Sequence, residues 1–548
     1  MPSDPNARVL SPSAPVWRNW SGNLVHEPAS DGVKYCFTPT NLAELKSALA
    51  EAAKVPGATV RVSGQRHSQT PLVVDEDRNP APQTKAFLVD MSCYRDLGPS
   101  EDQCIVLGPG SKQVTVNTGV REDELDAFLT GHNLMLTTVT AGGFFSLGGM
   151  TAVDVHGGTL DAPIFAETVS AFTLLLADGS VTTINAQSPA VSGWSPLQFA
   201  RVSLGALGVV TSVTIDVEDR PWATTLRGGT ERIGLADKAA FVKTFGSLVK
   251  THTRLETFFT PYATSWVGLS AKNFLALWWD VVSDPPTKTP NAAPSPDNAC
   301  VLAAKQPPEF GAPYLGAIAK FGTDLAEQAQ YDYAPLDPMA GPAVIAAITL
   351  DVIEPDVATA NASHSDLWLI GAVQVIFMSY YIPLPGLDDA GLEKVWDGLD
   401  VVSRIVTKDG AFHMAAPMEF RFVKGGDAAM SATFTANPEN TWFGNLDLIG
   451  FVKKEQKPSD YSPKLLQFFA DVERGWVEMG GFPHNGKMYG FYDPTAAPGT
   501  HTAPFNLSFL ADLRRRRGPR LDAFNAYRKR LDPKGLFYNK FLRSLLEP

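Results

Sequence analysis

Arg61-Val-Ser-Gly-Gln-Arg-His67-Ser68 is the end of an alternating strand that runs into a loop of small and polar residues. Such a loop exposes consecutive backbone N–H groups, which suit a diphosphate. Ser63, Gly64, Gln65, Arg66, His67 and Ser68 are its candidate contacts, with His67 at the apex. A histidine there can equally be a hydrogen-bonding turn residue. Further on comes Ala141-Gly-Gly-Phe-Phe-Ser146-Leu-Gly-Gly149-Met-Thr-Ala-Val-Asp154-Val-His156-Gly157. Its glycines let backbone approach a ligand closely, or serve tight turns alone. The candidates here are Ala141, Gly142, Ser146, Gly148, Gly149, Asp154, His156 and Gly157. A third stretch, Ser203-Leu-Gly-Ala-Leu-Gly208-Val209-Val210, leads into another strand.

Around these stretches the first part of the chain alternates strands and helices. Asn41 followed by Glu44 reads as a helix N-cap, opening a helix through about Ala53. Strands are predicted at Ala58–Val62, Ala86–Asp90, Gln113–Asn117 and Gly208–Ile215. Glu122, Asp123 and Glu124 suit the first turn of a helix. Thr168 to Ile184 reads as a hairpin about Asp178-Gly179. After Arg220 the pattern changes to long helical stretches and aromatic-rich strands. A Pro-rich segment, Asp284 to Pro313, reads as a surface loop or a lid. Arg514 to Arg517 reads as a solvated helix face.

With 46 Lys and Arg against 58 Asp and Glu the chain carries a net charge of −12, which argues against nucleic acid as a partner. Its hydrophobic share, 44% of 548 residues, is ample for a core and excludes a mostly disordered chain. No apolar run reaches the length of a membrane span, so no stable membrane insertion is expected. Four scattered cysteines do not make a disulfide scaffold or a zinc site, and the nine histidines lack metal-ligand spacing, so no metal is expected. Met1 to Ser30 has no basic-then-apolar signal pattern, which points to a cytoplasmic chain or an exported one already processed. Gly481-Phe-Pro-His-Asn-Gly486-Lys487 has P-loop spacing, but Met488 stands where a Ser or Thr should hold magnesium. Signatures of Rossmann, zinc-protease and α/β-hydrolase sites are missing.

In the C-terminal half, Pro417-Met-Glu419-Phe-Arg421 alternates as a strand, so Glu419 and Arg421 project to one face. Such a pair can hold a substrate oxygen or accept a proton, or be an ordinary strand-surface ion pair. Trp442-Phe-Gly-Asn445 and Pro483-His484-Asn485-Gly486-Lys487 also place polar groups among apolar ones, and Leu531 to Phe541 includes Asn539.

In their order, the three N-terminal stretches resemble the FAD-binding domain of the vanillyl-alcohol-oxidase / p-cresol-methylhydroxylase flavoproteins. The C-terminal elements look like those of the type II, covalent-flavin cholesterol oxidases, and Pro-His-x-Gly-Lys is similar to that of alditol and sugar-lactone oxidases. The resemblance implies an α+β fold: a PCMH-type FAD-binding domain over residues 1–222 and a substrate domain over 223–483. The substrate domain would be a large antiparallel sheet with flanking helices, and residues 484–548 would return to the FAD domain. It implies FAD, covalently attached through His67, with Val209-Val210 at the adenine end and Asn539 near the cofactor. By the same likeness Glu419 and Arg421 are the active-site carboxylate and its partner, Glu256 a second carboxylate, and Asn445 the holder of the substrate oxygen. Lys487 would lie near the flavin, and His484 stands where the sterol enzymes have glutamate. The implied reaction is oxidation of an alcohol, a sterol or other bulky apolar one, with oxygen as acceptor and peroxide as product. Hydroxy-acid, polyol or sugar-lactone oxidation or dehydrogenation is the alternative within the superfamily, and a catalytically silent flavin-fold binding protein the alternative of another functional class.

Overall fold

The structure is a computed structural model. It describes residues 17–26, 32–75, 85–98, 103–140, 142–220, 225–262, 265–266, 269–270, 272–282, 300, 326–331, 350, 375–409, 412–453 and 456–548. Ala141, and all but Cys300 of the Pro-rich segment, lie outside these residues.

Helix and strands alternate at the N-terminal end as the sequence pattern requires. Asn41 caps the helix Leu42–Ala53 by accepting from the Glu44 N–H at 3.0 Å, while the Glu44 carboxylate reaches back to the Thr40 N–H at 2.8 Å. The strand Ala58–Val62 pairs in parallel with Lys85–Val89, which pairs in parallel with Cys36–Phe37. Leu45, Leu49, Val60, Phe87 and Leu88 form the core between helix and sheet, each such side chain contributing about 1.5–3 kcal/mol on burial. A second sheet is antiparallel throughout. Its order is Val181–Asn185, Val169–Leu175, Val209–Asp216, Gln113–Asn117, Ile105–Leu107. The Asp178-Gly179 hairpin is its edge, with Gly179 at φ +82°.

The third sheet has seven antiparallel strands, in the order Thr225–Ile233, Phe274–Val282, Leu255–Phe259, Met418–Lys424, Trp442–Gly450, Ile376–Leu384, Phe482–Pro483. Alternation gives it two different faces. Phe420, Phe422, Leu446 and Leu448 are buried in the core, where Phe420 meets Phe241 and Phe245 of the helix Lys238–Thr251. Helices Asp389–Asp409 and Pro463–Glu478 cover the same side, Trp476 donating to the Gly398 carbonyl at 2.9 Å. The residues between these apolar positions, 419, 421, 445 and 447, belong to the other face.

The C-terminal segment joins the sheets. Val60 N–H donates to Leu536 O at 2.7 Å, Asn539 Nδ2 to Pro71 O at 2.9 Å, and Phe541 N–H to Asp75 at 3.0 Å. The arginine run departs from a solvated face. Arg517 is buried and donates to Asn485 Oδ1 at 2.7 Å, Arg516 lies over the Phe482 ring at 4.0 Å, and Arg514 donates to Ser544 O. The run carries no helix-period pattern that would have placed it there, because its partners come from a distant loop. A disulfide joins Cys93 to Cys300; four scattered cysteines gave no sign of it. Among the described residues no helix is long and apolar enough to cross a membrane.

Candidate active site

A single cleft runs between the first two sheets and the polar face of the third. It encloses about 1950 Å³, counting its open mouth. One wall comes from loops rich in glycine and small residues. It is built by residues 63–68, by Asp90–Ser92, by Thr118 and Gly119, by Gly142, Ser146, Gly148 and Gly149, and by Ser203–Gly205 with Gly208 and Val210. Close approach explains the glycines best at two positions. A Cβ on Gly64 would lie 2.2 Å from Ser146 Oγ, and one on Gly119 would lie 1.8 Å from Met91 O. Arg61 holds these loops in register. Its buried guanidinium donates to the carbonyls of Leu72, Leu204 and Phe537 at 2.6 Å and of Gly205 at 2.8 Å. Burial pushes its pKa down to about 10, so it stays charged at neutral pH.

His67 lies in a ring of aromatics, its centroid 4.7 Å from Trp20, 4.8 Å from Phe145 and 5.9 Å from Phe144. Lys487 Nζ is 3.4 Å from its Nε2. Its Nδ1 is buried with no hydrogen-bond partner among the described residues. Burial, and then the positive charge of Lys487, hold the imidazole neutral, well below its usual pKa. A dinucleotide therefore fits this wall: loops of small residues, glycines that clear the backbone, and a buried His67 ring nitrogen without a partner among the described residues.

The opposite wall is made of side chains. Glu419 and Arg421 are at the cleft as the strand alternation predicts, and Arg421 Nη2 contacts Glu419 at 2.5 Å and Glu256 at 2.7 Å. Register explains the second contact, because Glu256 stands directly opposite Arg421 on the neighbouring strand. Glu256 is fully buried behind the guanidinium and is not part of the cleft lining. Asn445 stands opposite Arg421 on the other side and is likewise buried below the surface, donating to Ser379 Oγ at 2.9 Å. Two residues further on, Asp447 does reach the cleft, opposite Glu419. Sequence reasoning missed it, although the alternation that pairs Glu419 with Arg421 also pairs Asn445 with Asp447. Burial and the Glu419 charge push its carboxyl up to about 6, against the pull of Lys487, a Ser379 hydrogen bond and Arg421.

Lys487 and His484 close the cleft from the loop after Phe482–Pro483. Lys487 sits 3.9 Å from the Phe377 ring centroid, and burial lowers its pKa. His484 Nδ1 accepts from the Gly486 N–H at 2.9 Å. Burial holds His484 neutral, so its proton is on Nε2. His156, also in the lining, has Nδ1 3.3 Å from the Gly157 carbonyl and is held neutral in the same way. Its proton then lies on Nδ1 and its Nε2 is an acceptor. The two neutral histidines thus differ in what they offer: His484 a donor, His156 an acceptor.

Four expected cofactor contacts have other work. The Asp154 carboxylate is fully buried and receives Ser431 Oγ, the Ala432 N–H, and both the backbone and side-chain nitrogens of Asn485, all within 2.8 Å. It ties the glycine-rich segment to the Lys487 loop from behind the wall. Gly157 is outside the lining, its carbonyl facing the His156 ring. Val209 points into the core, and its neighbour Val210 faces the cleft, a one-residue matter of strand alternation. Asn539 caps the helix Lys540–Leu546 by accepting from the Leu542 N–H at 2.9 Å. Trp17 and Trp20 line the cleft without a signal in the sequence; Trp17 Nε1 holds Ser63 Oγ at 2.9 Å.

The FAD binding domain family matches residues 33–185, and the D-arabinono-1,4-lactone oxidase family matches residues 389–545. L-gulonolactone oxidase of Mus musculus is 29% identical over 199 residues, 36% of this chain and 39% of that protein. L-gulono-1,4-lactone dehydrogenase of Mycobacterium tuberculosis is 27% identical over 250 residues, 46% and 50% of the two chains. The chain thus spans half or less of these curated relatives. A solvent-stable cholesterol oxidase shares the fold with a TM-score of 0.70 at 19% identity, over 97% of each chain. The glycine-rich wall and the sheet architecture agree with these matches: residues 33–185 match an FAD binding domain family, residues 389–545 match a lactone oxidase family, and the fold is shared with the cholesterol oxidase.

Proposed function

We propose that the protein is an FAD-dependent oxidase of a hydroxyl group on a polar, sugar-lactone-type or polyol substrate, with oxygen as the final acceptor. One observation carries this reading: Glu419, Arg421, Asp447, His484 and Lys487 crowd one end of the cleft. That set of charges and donors suits a polyhydroxylated molecule. Relatives named as lactone oxidases and dehydrogenases support the same substrate class. Residues 1–222 and 484–548 would hold the cofactor and 223–483 the substrate.

When bound, FAD supplies a two-electron acceptor for the carbinol hydrogen and its bonding pair. Residues 63–68 and the glycines would cradle its diphosphate, and His67 would be its covalent anchor. The side-chain wall does the rest. Arg421 and Lys487 offset negative charge developing on the substrate oxygen. The His484 Nε2–H donates to a substrate oxygen, and a carboxylate at this end takes the hydroxyl proton. Trp20, Phe144, Phe145 and Phe377 also line the cleft, which supports a second reading, oxidation of a bulky apolar alcohol such as a sterol. Peroxide release over a panel of aldonolactones, alditols and 3β-hydroxysterols separates the two. Turnover of lactones or alditols is expected; turnover of sterols alone would transfer the assignment to the second reading.

A further inference from the structure

We propose that Asp447 is the group that takes the substrate hydroxyl proton, while Glu419 and Glu256 hold Arg421 in place. This rests on the alcohol-oxidising reading above. Asp447 is only 6% exposed, lines the cleft, and has Oδ1 without a hydrogen-bond partner among the described residues. Ser379, whose hydroxyl accepts from Asn445 Nδ2 at 2.9 Å, stands directly opposite Asp447 on the neighbouring strand and favours its charged form. The other two carboxylates are engaged, both on Arg421 Nη2. A carboxylate bound to a guanidinium gives up that charge-assisted contact when it takes a proton. Asp447 Oδ1 has no such contact to give up.

The step balances. The O–H bond breaks, its proton passes to the Asp447 carboxylate, and its electron pair becomes the second bond of the carbonyl. The carbinol carbon loses its hydrogen with that bonding pair to the two-electron acceptor, FAD. The groups facing Asp447 set the pH at which it is ready. Glu419 and Arg421 face it from one neighbouring strand, Ser379 and Tyr381 from the other, and Lys487 and His484 from the closing loop. Removing the Glu419 charge should move its titration down; removing Lys487 or the Ser379 hydroxyl should move it up.

Anaerobic reduction of the bound flavin at saturating substrate, followed across pH, tests this. In the wild type the rate should rise with pH through about 6 and level off, because the protonated carboxyl is not a base. D447N should flatten that rise and lower the plateau about 100-fold or more. E419Q should keep the rise at lower pH, and K487M and S379A should keep it at higher pH. Infrared titration of the resting holoenzyme adds a readout free of turnover: one carboxyl titrating near 6 should vanish in D447N. A D447N enzyme with the wild-type rise and plateau, an E419Q enzyme that loses the rise, or an infrared band that survives D447N overturns the proposal. A wild type reduced by no hydroxyl compound removes the oxidising reading, and this proposal with it; a wild type that turns over leaves the decision to D447N. S379A and E419Q decide it by opposite shifts should D447N fail to fold.

Discussion

The two walls of the cleft are built from different materials. The His67 wall is built of glycine-rich loops, with Arg61 clamping four carbonyls behind it. The sheet wall is side chains, where Glu256, Arg421, Glu419 and Asp447 meet through strand register. A glycine-rich wall offers N–H groups and close approach, and grips a ligand whatever its reactive end does. A side-chain wall offers charge, and its protonation can change with pH. Substitutions on the first should therefore alter cofactor retention, and substitutions on the second should alter turnover and stability with the cofactor still in place.

The largest effect is expected at Arg421. Arg421→Met takes the guanidinium from two carboxylates, one of them fully buried. Breaking such a buried pair costs about 3–5 kcal/mol of stability, and turnover should fall about 100-fold, the scale of a lost charge contact in the transition state. Melting and steady-state kinetics measure both, and a normal flavin content would show that the damage stays on the sheet wall. Gly64→Ala comes next, from the other wall. Its methyl collides with Ser146 Oγ, and overpacking of this kind costs about 1–3 kcal/mol. The ratio of flavin to protein absorbance should drop, and the double variant with Ser146→Gly should recover much of it. No drop would mean that the loop has room to shift and that the close approach is not needed.

A smaller change in rate but a plain one in chemistry is expected of His67→Ala. Acid-precipitated wild-type protein should stay yellow, while the variant should release its flavin and still bind it in native buffer with lower activity. Wild-type protein that loses all its colour in acid would remove the covalent link and leave the fold assignment intact. Asn539→Ala should have the least effect. It removes a helix cap, worth about 0.5–2 kcal/mol, with flavin content unchanged; loss of flavin instead would return Asn539 to the cofactor site.

The two walls also differed in how far they could be read from the sequence. Glycine spacing and the strand-to-loop transition at Arg61–Ser68 are local signals, and the glycine-rich wall follows from them. Its errors are of single roles: Val209, expected beside Val210 at the cofactor, turns into the core, and Asp154, taken for a cofactor contact, fastens the wall from behind. On the sheet wall, alternation puts Glu419 and Arg421 on one face but says nothing of which strands lie alongside. Glu256, Asn445 and Asp447 took their depth from register between strands far apart in the chain. That is why the two named from resemblance lie behind Arg421 or below the surface, and the one at the cleft went unnamed.

A crystal structure of the holoenzyme with a deoxy analogue of an aldonolactone, which binds but is not oxidised, tests the two-wall account most directly. The account predicts the flavin along residues 63–68 and the glycines, with the analogue between it and the strand bearing Arg421 and Asp447. A flavin in that place with the analogue bound away from Arg421, Asp447 and Lys487 would contradict the assignment of the sheet wall as the reacting end.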